Sequence, residues 1–148
     1  MNADARTTVR VSRVYRAAPD RVFDAWLDPP SARQWLFATP EGSIQRCDID
    51  ARAGGRFSVI DRRDGTDVEH RGSYVELDRP LRLVFDFAVP QFSSETTRIT
   101  LTLEPRGRGC ELTLLHEGVL SDYAERSSQG WKTMLEGLAR TLGDAEGA

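Results

Sequence analysis

The feature that most constrains this 148-residue sequence is a long run of segments in which apolar residues recur at every second position. Residues 44–49, 56–61, 70–77, 81–89, 97–104 and 110–117 each read as a β-strand. Phe57 and Val59 share one face. So do Leu83, Phe85 and Phe87, and Ile99, Leu101 and Leu103, while Leu112 and Leu114 stay in phase on the last strand. The gaps carry turn chemistry, including Arg52-Ala53-Gly54-Gly55, Asp64-Gly65, Asp78-Arg79-Pro80 and Gly107-Arg108-Gly109. Consecutive strands joined by such short turns must pair antiparallel, with one apolar face and one wet face.

Ahead of this run, residues 8–16 form a further strand, with Val9 and Val11 alternating with Arg10 and Ser12. Pro19 suits the first position of a helix, and Val22, Phe23 and Trp26 recur at helical spacing as far as Leu27. Asp28-Pro29-Pro30 breaks the chain and opens a second short helix through Ala32, Trp35 and Leu36. At the far end Ser121 reads as the cap of a long helix. Trp131, Met134, Leu135, Leu138 and Leu142 make its apolar stripe, and Gly143 stops it. The expected fold is α+β: a curved seven-stranded antiparallel sheet wrapped on a C-terminal helix, with two short helices between strands 1 and 2.

This order carries a functional expectation. The helix from Ser121 to Leu142 would be roughly 33 Å long at 1.5 Å per residue, and it alone is long enough to cover the apolar face. A twisted sheet of seven strands curls, and one helix about 10 Å wide leaves part of the concavity to large side chains or to a cavity.

The length fits a single domain spanning residues 1–148. Twenty basic against 23 acidic residues give a net charge of −3, which argues against a nucleic-acid partner. No stretch approaches the length of a membrane span. Residues 1–6 lack a signal-peptide core, and Cys47 and Cys110 are isolated, so a cytoplasmic location is expected.

Four segments then occur in a telling order: Arg16-Ala17-Ala18-Pro19-Asp20-Arg21-Val22-Phe23-Asp24-Ala25-Trp26, Ala53-Gly54-Gly55-Arg56-Phe57, Arg71-Gly72-Ser73-Tyr74-Val75-Glu76-Leu77 and Gly130-Trp131-Lys132-Thr133-Met134-Leu135. Together they resemble the family of homologues of the activator of heat-shock-protein-90 ATPase, over about residues 8–142. That family lies in the START-like (SRPBCC, Bet v allergen-like) superfamily, and the resemblance implies its helix-grip fold. The superfamily hosts lipid carriers, hormone receptors, cyclases and cochaperones, so fold alone does not select a function.

The candidate ligand-binding residues are Trp26, Trp35, Phe57, Tyr74, Glu76, Phe85, Phe87, Leu101, His116, Trp131, Met134 and Leu135. His116 is in phase with Leu112 and Leu114, so it points to the apolar face, either as a ligand or acid–base group or as a histidine bonded to a backbone carbonyl. Tyr74 and Glu76 share a parity opposite to Val75 and Leu77, and either pair faces inward. Arg13 is a candidate partner for an inward Glu76. Trp35 and Phe37 would close one end, and Phe92 is a candidate gate. The aromatic and Met residues equally suit a plain core.

Isolated His70, His116, Cys47 and Cys110 offer no metal set, and no cofactor motif is present. The leading expectation is a small apolar or amphipathic ligand between helix and sheet, without cofactor. The alternatives are a cochaperone-like module with a chaperone partner, or a cyclase- or hydrolase-type enzyme using His116 with Tyr74 or Glu76. Homodimerisation stays open.

Overall fold

β1 (Arg6–Tyr15) and β2 (Ser43–Ile49) lie at opposite edges of one antiparallel sheet whose strand order is β1-β7-β6-β5-β4-β3-β2 in the computed structural model, which describes residues 5–93 and 95–143. The other strands are β3 (Arg56–Arg63), β4 (Thr66–Asp78), β5 (Arg82–Ala88), β6 (Thr97–Arg106) and β7 (Gly109–Leu120). Each strand from β2 to β7 pairs with its neighbour in sequence, and β1 closes on β7. The chain therefore crosses the width of the sheet once, between β1 and β2, and the two short helices α1 (Pro19–Ala25) and α2 (Pro29–Ala32) make that crossing.

The local chemistry accounts for these limits. Pro19 begins α1, and Ala18 before it is extended, as a residue preceding proline prefers. Asp64 and Gly65 both have positive φ, which a two-residue hairpin of the primed type demands, and so β3 and β4 run longer than the alternation alone indicates. α2 is shorter than the spacing suggested: it ends at Ala32, and Trp35 and Leu36 follow in a turn.

Two further departures bear on the site. The expected cap at Ser121 does not form. Residues Ser121–Tyr123 make a single 3-10 turn, with the Ser121 amide donating to the Ala5 carbonyl at 2.9 Å. The helix proper, α3, runs Ala124–Thr141, about 27 Å rather than 33 Å. In β4 the register shifts between Tyr74 and Glu76, so Val75 is an extra residue. The alternation therefore changes phase: Tyr74 is buried, Leu77 packs against the core, and Glu76 lies on the outer face paired with Arg82 at 3.3 Å. Arg13 does not reach Glu76, and its guanidinium lies 5.7 Å from the Tyr15 ring centroid.

Trp131, Leu135, Leu138 and Ala139 are the buried face of α3, held to the β1 end by the Tyr15 hydroxyl donating to the Leu135 carbonyl at 2.8 Å. Trp26 and Trp35 meet edge-to-face at 4.6 Å, and Phe57, Tyr74 and Phe85 pack around them. The middle of the concavity is thus filled by the chain's own rings. No helix among the described residues is long and apolar enough to cross a membrane.

Candidate ligand cavity

Filling stops at one end. Between the first turns of α3, the ends of β5 and β7, the start of β6 and the residues Val89, Phe92, Ser93 and Glu95 lies a cavity of about 420 Å³, within the range of small-molecule sites. The β1–β7 register shifts at Thr7/Thr8, opposite Gly118, which has a φ of 86°. That bulge and the 3-10 turn after it carry Val119, Leu120 and Tyr123 around the mouth.

Phe87, Trp131 and Met134 supply apolar wall, and Phe37, His70 and His116 complete the inner surface. Exposed Phe92 and Tyr123 flank the mouth. Arg6 at the rim is ion-paired with Glu95. Arg126, also at the rim, has no carboxylate partner among the described residues; its guanidinium lies 5.6 Å from the Tyr123 ring centroid.

The state of His116 follows from its partners. An indole N–H can only donate, and that of Trp131 lies 3.1 Å from His116 Nδ1. Nδ1 therefore carries a lone pair, and the Ser127 hydroxyl at 3.2 Å also donates to it. The ring proton sits on Nε2 and donates to Thr97 Oγ1 at 2.8 Å. The Thr97 hydroxyl in turn donates to the Phe87 carbonyl at 3.4 Å. Burial favours the same neutral form, pushing the His116 pKa down to about 4.

His70 is also neutral. Burial, aided by the nearby Arg63 charge, lowers its pKa to about 4, and its Nδ1 lies 3.4 Å from the Val59 carbonyl. The cavity is an apolar hollow with two uncharged imidazoles in its wall and, at its lip, the guanidinium of Arg126, unpaired among the described residues.

Of the candidate ligand-binding residues, Phe87, His116, Trp131 and Met134 meet at this cavity, where Phe37 and Phe92, expected as an end wall and a gate, also lie. Trp26, Trp35, Leu101 and Leu135 are in the packed core. Phe57, Tyr74 and Phe85 are there too, around a separate void of about 10 Å³ that also touches Trp26. Burial raises the Tyr74 pKa. Glu76 is outside altogether. Thr97, Ser127 and Arg126 carry no signal in the periodicity of their own segments, although Ser127, Trp131 and Met134 follow helical spacing along one face of α3. Among the described residues no group of three His, Cys, Asp or Glu could hold a metal ion.

The profile of a family described as "Activator of Hsp90 ATPase homolog 1-like protein" matches residues 16–143. A solved protein from Chromobacterium violaceum superposes with a TM-score of 0.83 at 28% identity, covering 90% of this chain and 94% of its own. An AHSA1-like protein from Aeromonas hydrophila gives 0.80 at 16% identity, covering 93% and 92%. A Staphylococcus aureus protein described as of unknown function gives 0.83 at 15%, covering 94% of each chain. Among curated proteins no sequence matches this one.

Proposed function

For a chain that belongs to the activator of Hsp90 ATPase homolog 1-like family, within the SRPBCC superfamily, we propose that the cavity binds a small amphipathic molecule with an apolar body and an anionic head. The observation that carries this reading is the apolar hollow of about 420 Å³ with a guanidinium at its mouth, that of Arg126, which has no carboxylate partner among the described residues. Burying an apolar tail against Phe87, Trp131 and Met134 supplies about 25 cal/mol per Å², from which the costs of association are subtracted. Arg126 adds direction: a carboxylate placed there leaves the tail pointing inward.

Among the described residues less supports the other readings. Catalysis by His116 with Tyr74 or Glu76 lacks convergence, because Glu76 is on the outer face and Tyr74 is behind the wall. A base titrating near 4, with both nitrogens engaged, is also mismatched to proton transfer at neutral pH. An adaptor would present an apolar docking face. The outer face of the sheet instead carries ion pairs, such as Arg98–Asp86 at 2.8 Å and Arg82–Glu76 at 3.3 Å.

Decanoate and decanol, compared by thermal shift, test the proposal. Both should raise the melting temperature, by an amount that grows with the logarithm of the free ligand concentration once it exceeds Kd. Arg126→Ala should weaken decanoate roughly 2–5-fold, as an exposed ion pair does, and leave decanol unchanged. Absence of a shift with either compound contradicts the proposal.

A further inference from the structure

Phe37 occupies a backbone conformation that a bulky side chain rarely adopts. Its φ is 56°, in the left-handed region, where a phenylalanine persists only if its surroundings hold it. Its N–H donates to Met134 Sδ at 3.2 Å, and its carbonyl accepts from the Arg63 guanidinium at 3.3 Å. Arg63 is itself fixed by Asp61, whose Oδ2 accepts from Arg63 Nε at 2.7 Å and from the Thr39 hydroxyl at 2.8 Å. Asp61 is fully buried, and its other oxygen has no partner among the described residues. The strained residue is held on both sides, by Met134 at its N–H and by the Arg63–Asp61 pair at its carbonyl, and these bonds fix where its ring lies.

That ring is clamped flat. It stacks on His70 at 4.4 Å and 7°, lies 5.4 Å from Phe87, and meets Trp131 edge-on at 5.8 Å. The ring borders the cavity, and it also borders the small void lined by Trp26, Phe57, Tyr74 and Phe85. Phe37 alone among the described residues lines both spaces. The void is bordered by Trp26, whose buried indole N–H has no acceptor among the described residues.

We propose that Phe37 is the residue that sets the depth of the cavity: its ring is the floor that limits how far a linear tail descends toward the aromatic core. This rests on the reading of the cavity as an amphiphile site. A strained backbone is a reason to look for a function that the ring performs, and a partition between two apolar spaces is such a function.

The test is a chain-length profile, with the affinities of the n-alkyl carboxylates from hexanoate to hexadecanoate measured by calorimetric titration. Phe37→Gly removes the ring and suits the backbone conformation. It should move the tightest-binding length upward and strengthen the longest acids at least about tenfold relative to the shortest. Phe37→Trp, which adds bulk to the same wall, should move the optimum to shorter acids and serves if the glycine variant does not fold. Parallel profiles in the wild type and the variants overturn the assignment of Phe37 while leaving the cavity reading intact. Failure of every acid to bind the wild type overturns both.

Discussion

Trp131 governs His116 through what an indole nitrogen is able to do. Because it donates and never accepts, a second proton on His116 Nδ1 would set two N–H groups against each other at 3.1 Å. Trp131→Phe removes that conflict, so the His116 pKa should rise from about 4 part of the way toward 6.5, as followed by NMR of the ring protons during titration. An unchanged or lower value would contradict the assignment of protons along the Trp131–His116–Thr97 chain. His70 and His116 together also make stability depend on pH. Both titrate near 4 when folded, against 6.5 unfolded, so between these values the unfolded chain binds more protons. Stability is therefore full above about pH 6.5 and is lost as pH falls toward 4, with uptake of about two protons on unfolding near pH 5. Urea unfolding at pH 7.5 and pH 5 should show the loss, and equal stability at the two values would contradict it. At this scale the sequence was a partial guide. The inward direction of His116 was legible from its phase with Leu112 and Leu114. Its partners were not, since Ser127 and Trp131 reach it from another element. The orientation of Glu76 was hidden by one extra residue, Val75, because a bulge inverts a period-two pattern without leaving a mark in it.

The elements themselves were legible wherever periodicity or turn chemistry is strong. Asp64-Gly65, the alternation of Ile99, Leu101 and Leu103, and the stripe from Trp131 to Leu142 all correspond to observed structure. The start of α3 was not, because serine followed by acidic residues looks alike before a 3-10 turn and before an α-helix. That difference matters, since the turn carries Tyr123 to the cavity lip. α3 also contains Gly130, which lines the cavity and whose Cβ position meets no atom within 4 Å. Gly130→Leu should consequently act in two directions. Replacing a mid-helix glycine stabilises the fold by roughly 0.5–1 kcal/mol, while the new side chain occupies the space a ligand needs. The expected result is a higher melting temperature without ligand and at least about tenfold weaker decanoate binding. A variant that gains stability and binds decanoate normally would place the ligand elsewhere.

For the whole molecule, what matters is whether one helix fills the hollow of a curved seven-stranded sheet. The answer divides along the length of α3. Trp26, Trp35 and Trp131, with the Phe and Tyr rings around them, fill the centre, and the most apolar of the remaining hollows lies at the end where α3 begins. Pattern alone could not locate it, because the distinction between core and wall depends on how side-chain volumes sum across elements distant in sequence. The three tryptophans make this division measurable. Trp131 borders the cavity and spends its indole N–H on His116; Trp35 donates to the Ala25 carbonyl at 3.3 Å within the core; Trp26 is buried beside it. The most direct test is an NMR titration with decanoate that follows the three indole N–H resonances. The Trp131 resonance should shift saturably while those of Trp26 and Trp35 stay close to their free positions. No saturable shift at Trp131, or shifts at Trp26 and Trp35 with Trp131 unmoved, would contradict the claim that this cavity is where the protein takes its ligand.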